Sequence, residues 1–249
     1  MTYQIIHKET PVAQIDTQGH YHIFSKKFMP FNLYLDETDD DPLNNLSNFY
    51  FWCANRILPA NRQHKDVILK SLNLITKEPA QIALLCHCLS LTDGCFPKAW
   101  LNNTLLKGGN PIAVRNEILD SEICQYFQCN QVLYKEGIYK GELVSISNLF
   151  TSKEQSIVSK EAFDIYAVNY DIDPIKYILS LDAYSYYMMN ILDYLTGNTD
   201  RHWGNWGFLI DNQTNTPISL HPLMDFNQAF TAYDSMEGAN CLTTPIPMT

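Results

Sequence analysis

Between Pro174 and Leu195 apolar residues recur at helical spacing, and the run stops at Gly197-Asn198, a pair well suited to ending a helix. Ile178, Leu181, Tyr184, Met188, Ile191, Leu192 and Leu195 are expected to share one face. A polar loop follows, Thr199-Asp-Arg-His-Trp-Gly-Asn205, and leads into a strand ending at Ile210. Asp211-Asn-Gln-Thr-Asn-Thr216 reads as a turn, Ile218 opens a second short strand, and Asp225 follows within Met224-Asp-Phe-Asn-Gln-Ala229. A helix, a polar loop, a hairpin and then an acid is the arrangement in which a site is expected.

Asp200 and Asn205 lie five apart in the loop, and Asp225 comes just after the hairpin. Protein kinases use that order, a loop D-x-x-x-x-N, two strands, and an Asp in a D-F-G type turn. One carboxylate accepts the proton of an attacking hydroxyl. An amide oxygen from the same loop and a carboxylate from the next turn converge on Mg²⁺, a hard cation that takes oxygen ligands. Here the turn reads Asp225-Phe226-Asn227, so the acid is present and the glycine is not.

Upstream, Thr92-Asp-Gly-Cys-Phe-Pro-Lys-Ala-Trp100-Leu reads as a turn into a strand, with Gly94 where a phosphate-covering turn would stand. Asn102-Asn103 makes a tight turn, and Thr104 to Lys107 forms a second strand closed by Gly108-Gly109. Lys107 is placed to meet the α- and β-phosphates of ATP. The next helix carries Val114, Ile118, Ile123, Tyr126 and Phe127 as apolar positions, and one of its glutamates would hold the lysine. At about 100° per residue Glu122 falls within the apolar arc and Glu117 on its edge or outside, although Glu117 is expected in the first turn, nearer the position of Lys107. Residues 131 to 147 alternate as a hairpin with Gly137 and Gly141 near its turn. Strand, turn, strand, helix and hairpin make an α+β unit.

Leu195-Thr-Gly-Asn-Thr-Asp-Arg-His-Trp-Gly-Asn-Trp-Gly-Phe, followed by Pro222-Leu-Met-Asp-Phe, closely resembles the HipA-like serine/threonine kinase family. Leu105-Leu-Lys-Gly-Gly and Val114-Arg-Asn-Glu-Ile-Leu resemble that family's lysine strand and following helix. The resemblance covers roughly residues 91 to 235 and implies a bilobal, protein-kinase-like fold with a small antiparallel N-lobe sheet and a mostly helical C-lobe. It implies Asp200 as catalytic base, Asn205 and Asp225 as Mg²⁺ ligands, and Lys107 as the ATP-phosphate lysine. It favours Glu117 over Glu122 as the partner of Lys107, and Ser147 to Leu149 as the strand linker that meets adenine. The cofactors implied are ATP and Mg²⁺. The implied partners are a protein with a Ser or Thr acceptor and an antitoxin or regulatory protein.

Residues 1 to 91 resemble the leading segment of small HipA-like proteins, and the expected division is 1–90, 91–165 and 166–249. In those proteins the stretch like Leu89-Ser-Leu-Thr-Asp93 is well separated from the one like Asp93-Gly-Cys-Phe-Pro-Lys, whereas here they run together. The chain also stops at Thr249, where relatives continue through a helical subdomain. Both features are expected of a shortened member.

Within the leading segment, residues 3 to 24 alternate as a small antiparallel pair around Gln18-Gly19. The acidic stretch from Asp36 to Asp41 reads as a solvated loop, and the pattern from about Asn44 to Cys88 as short helices interrupted by Pro59 and Pro79.

Composition narrows the function classes. Lysine and arginine total 17 against 27 acids, a net charge of −10, which opposes unaided binding to nucleic acid or an anionic membrane. Seven irregularly spaced cysteines and the absence of a basic-then-apolar leader argue against a secreted disulfide framework and for a cytoplasmic protein with reduced thiols. Cys86-His87-Cys88 cannot converge on one zinc ion from adjacent helical positions. His202 is expected to support its loop, and Trp203 and Trp206 to pack. Tyr184, Tyr186, Tyr187 and Tyr194 are expected as packing and rim residues.

Three functions fit these residues. The first is a Mg²⁺/ATP-dependent kinase acting on itself or on another protein. The second is a kinase-fold remnant that serves as a binding or regulatory module. The third, a metal hydrolase built on Asp200, His202 and Asp225, has only one histidine between its acids and leaves Lys107 without a role.

Overall fold

Alternation at the start of the chain produces three strands, β1 (Thr2–His7), β2 (Thr10–Asp16) and β3 (Tyr21–Ile23), antiparallel and in that order. The computed structural model describes residues 2–56, 78–85, 104–108, 110–139 and 141–231. The sheet contains a second tight turn besides Gln18-Gly19, because Lys8 adopts a φ of 55° between β1 and β2. Gly19 has a φ of 88°, and a Cβ there would stand 1.8 Å from the Pro42 carbonyl oxygen, so only glycine lets this turn meet the next helix.

That helix is α1 (Pro42–Ala54), started by a proline and by the Asp41 carboxylate, which accepts from the Leu43 amide. The acidic stretch is more ordered than a solvated loop. Asp36 accepts from the Thr38 amide, and its own amide donates to Asn45. Val12, Ala13, Ile15, Phe49 and Cys53 form the first core, beside α2 (Pro79–Leu85). Pro79 stands at the start of that helix. The expected features at Pro59, at Cys86-His87-Cys88, and from Thr92 through Asn103, Gly94 included, lie outside the described residues.

A second antiparallel sheet joins β4 (Thr104–Gly108), β5 (Tyr134–Tyr139) and β6 (Glu142–Asn148) in the order β4-β6-β5. Gly141, with a φ of 84°, sits in the β5–β6 turn, whereas Gly137 lies inside β5 opposite Val144. Across this sheet lies α3 (Pro111–Tyr126), whose first turn is capped by the Asn110 side chain. A third antiparallel sheet, β7 (Gln155–Ser159), β8 (Gly207–Asp211) and β9 (Thr216–Leu220), packs against α4 (Lys160–Asn169) and α5 (Pro174–Thr196). Phe163, Ile178, Leu192, Phe208, Ile210 and Phe226 fill the core between them. The division expected at residues 165 and 166 falls inside α4.

The single apolar face expected for α5 does not form. Tyr184, Ile191 and Leu195 are exposed, and Ile178, Met189, Leu192 and Thr196 are buried. The physical reason is a kink at Asp182 (φ −157°, ψ 67°), which shifts the phase of the buried stripe part-way along the helix. The Asp182 carboxylate accepts from the Leu220 and Ser185 amides, so the kink ties α5 to β9. The described chain is thus a mixed helix-and-sheet fold with small antiparallel sheets. No helix among the described residues is long and apolar enough to cross a membrane.

Candidate active site

Lys107 lies near the end of β4, opposite Ser145 on β6, so the strand register carries its side chain toward α3. Its ammonium donates to Glu117 Oε1 at 2.9 Å and to Asp225 Oδ1 in a closer contact. Glu117 is 1% exposed, and its second oxygen accepts from the Ser145 hydroxyl at 2.7 Å. Burial alone would pull the Lys107 ammonium down, but the Asp225 and Glu117 carboxylates outweigh it and hold its pKa above the ordinary lysine value.

Glu117, and not Glu122, therefore meets Lys107. Glu122 is exposed. A wheel drawn from apolar residues points the wrong way because the buried face of α3 is half polar, carrying Glu117, Asp120 and Ser121 beside Ala113, Val114 and Cys124. Glu117 also sits in the second turn of α3, not the first.

The loop after α5 is built by side chains folding back on its backbone. Gly197 ends the helix in the left-handed region at φ 62°. Asn198 donates to Asp193 at 2.8 Å and accepts from the Asp200 amide at 3.4 Å. Arg201 grips Asp193 with two nitrogens, at 2.8 and 3.0 Å. Its third nitrogen donates to the carbonyls of Asn205 at 3.1 Å and Met224 at 2.5 Å. Asn205 uses its amide nitrogen on the Asp200 carbonyl at 2.8 Å, which leaves the amide oxygen as the end facing other partners. Asp200 is half-buried, and among the described residues no donor reaches its carboxylate.

Asp225 sits at a φ of 62°, unusual for a residue with a side chain. Its amide donates to the Tyr134 hydroxyl at 3.3 Å, and burial pushes the pKa of that hydroxyl up. A hydrogen-bonded residue held in this backbone region is the kind of local strain that accompanies functional turns. Asn227, where a D-F-G turn has glycine, has its side-chain oxygen buried with no partner among the described residues.

No family model and no curated protein matches the chain. One solved structure it resembles is a proinflammatory kinase, CtkA, from Helicobacter pylori. The TM-score is 0.43 at 19% identity, covering 53% of this chain and 52% of that one. The chain thus spans about half the length of that structure.

Lys107 is in direct contact with both Glu117 and Asp225, and Asp200 and Asn205 are joined within one loop. Ser147 is buried on β6, paired with Leu105 and Tyr134, and Leu149 follows the end of that strand half-buried. Neither is hydrogen-bonded to Lys107 or Asp225.

His202 braces the loop, its Nδ1 accepting from the Gly204 amide at 3.0 Å. Trp206 is buried as expected, but Trp203 is 62% exposed, with the Lys160 ammonium 5.6 Å from its ring centre. Among the described residues no three His, Cys, Asp or Glu side chains converge as a metal site, so Asp200, His202 and Asp225 do not form the hydrolase centre considered above. An Asn205 amide oxygen and an Asp225 carboxylate are hard donors and suit Mg²⁺, which takes few protein ligands and completes its shell with phosphate and water.

Sequence reasoning missed Arg201, Asp193 and Ser145 as site residues. Arg201 stands next to Asp200, so its place in the motif was visible, but its partners were not.

Proposed function

We propose that this chain is a HipA-like, Mg²⁺- and ATP-dependent kinase that moves the γ-phosphoryl group of ATP to a Ser or Thr hydroxyl of a protein. The observation that carries the reading is Lys107, which joins the buried Glu117 on α3 to Asp225 in the turn after the β8–β9 hairpin. Phosphoryl transfer needs a fixed cation beside the phosphates, and a glutamate that holds the cation in place.

Each residue then has a task its position allows. Lys107 steadies the phosphates, and Ser145 and Glu117 keep its ammonium in line. Asp200, whose carboxylate accepts no bond among the described residues, takes the proton of the acceptor hydroxyl. Asn205 and Asp225 would hold Mg²⁺, which supplies charge neutralisation between the phosphates when bound. Ser147 and Leu149, at and beyond the end of β6, would border the adenine. An antitoxin or other regulatory protein is the partner class this reading brings with it.

Calorimetric titration with ATP, with and without Mg²⁺, tests it. Mg²⁺-dependent binding is expected. A folded chain that binds no nucleotide would overturn the kinase reading in favour of a non-catalytic module.

A further inference from the structure

One guanidinium ties together the two backbones that carry the metal-binding side chains. Arg201 Nη1 donates both to the Asn205 carbonyl and to the Met224 carbonyl, the residue before Asp225. Nε and Nη2 meanwhile clamp the two oxygens of Asp193 on α5. Asn198, which also binds Asp193, receives the Asp200 amide. The arginine side chain is 9% exposed, with its charge centre 5.1 Å from the Phe226 ring centre. The separation between the Asn205 and Asp225 segments is therefore set by a planar group that uses all three of its nitrogens and is anchored on a helix.

We propose that Arg201 is a positioning residue for the divalent cation, setting the spacing of Asn205 and Asp225 through their backbones while touching neither nucleotide nor metal. This rests on the kinase reading above. Lysine cannot replace it, because an ammonium has no fork with which to clamp Asp193 and reach two carbonyls as well. Groups that orient metal ligands from behind typically change metal affinity about 10- to 100-fold when altered. In metal-free nucleotide binding the phosphates would meet Lys107, which Glu117 anchors from α3 independently of Arg201. Arg201 reaches Lys107 only at second hand, through the Asp225 segment.

The test is calorimetric titration of ATP at a series of Mg²⁺ concentrations on wild type, Arg201→Lys and Asp193→Asn, with melting curves to confirm folding. In Arg201→Lys the Mg²⁺ concentration giving half-maximal enhancement of ATP binding is expected to rise about tenfold. Metal-free ATP affinity is expected to stay within about twofold. Asp193→Asn, which frees the clamp but keeps the arginine, is expected to shift the Mg²⁺ dependence in the same direction by less. It decides the question alone if Arg201→Lys does not fold.

Unchanged Mg²⁺ dependence in a folded variant overturns the proposal. Equal loss of metal-free and metal-dependent binding also overturns it, since that marks a general structural role. A wild type without Mg²⁺-dependent binding overturns the kinase reading itself, and this inference falls with it.

Discussion

The Lys107 ammonium and the Glu117 carboxylate meet at 2.9 Å with the lysine 34% exposed and the glutamate 1% exposed. The pair is therefore asymmetric, an enclosed acid whose countercharge reaches in from a wetter side. Removing the cation leaves Glu117 with the Ser145 hydroxyl as its remaining donor among the described residues.

Lys107→Met is expected to lower stability by about 2 kcal/mol, less than a fully buried pair would lose because water screens the lysine end. The double variant Lys107→Met with Glu117→Gln should regain more than half of that loss, because the stranded charge is gone. Urea unfolding of the four proteins measures the coupling, and additive effects would show that the two groups do not act as a pair.

Asp200→Asn keeps the shape of the loop residue and removes its basicity. Phosphate transfer is expected to fall by about 10²-fold or more while nucleotide binding changes by less than about twofold. Transfer at the wild-type rate would remove Asp200 from the role of base.

Asp120, one turn beyond Glu117 on α3, is fully enclosed, and one of its oxygens has no partner among the described residues. Burial pushes its carboxyl up to about 6 from an ordinary value of 3.8. Between those values the folded chain keeps a proton that the unfolded chain has released, so this group's contribution is complete below about 4 and is lost as pH rises through about 6. Asp120→Asn should abolish that decline, which amounts to about 2–3 kcal/mol. Unfolding free energies at pH 4 and pH 7 test it, and an equal decline in both proteins would clear Asp120 of responsibility.

His221 shows the opposite sign. Enclosure at the end of β9 lowers its pKa from 6.5 to about 4, and its Nδ1 lies 2.8 Å from the Pro222 carbonyl oxygen, which requires the proton on that nitrogen. The neutral ring is what the fold accepts, so its contribution is present above about 6.5 and is lost as pH falls through about 4. An NMR titration of the imidazole should give a midpoint near 4. A midpoint above 6 would mean the ring is not enclosed as described.

Two glycines differ in what a methyl group would strike. A Cβ on Gly207 would stand 2.1 Å from the Val158 carbonyl oxygen and 2.8 Å from the Lys160 amide nitrogen, both backbone atoms. A Cβ on Gly137 would meet the Ile146 Cδ1 at 2.3 Å, the far end of a side chain that can turn aside. Gly207→Ala should cost about 3 kcal/mol and Gly137→Ala about 1 kcal/mol. Thermal melts should rank them in that order, and the reverse ranking would contradict the β7–β8 pairing.

Much of this fold was legible from local pattern. The alternation of β1 and β2, the β5–β6 hairpin, and the proline-started α5 ending at Gly197 all depend on neighbours within a few residues, as periodicity and capping do. The candidate site was legible as spacing, with Asp200, Asn205 and Asp225 marked by their intervals. Two readings failed for one shared reason. The buried faces of α3 and α5 are not pure apolar stripes, since α3 buries three polar residues and α5 changes phase at Asp182.

By itself the sequence determined which segments become helix or strand, because those preferences act over one turn or one pleat. It also determined the chemical kinds of group available near the loop after α5. Only the tertiary structure decided that Glu117 meets Lys107, that Lys107 reaches Asp225 across 118 positions, and that Arg201 binds both Asn205 and Met224. Such contacts arise when separately formed elements close on one another and enclosed polar groups must find partners. Burial then selects among side chains that local pattern leaves equivalent.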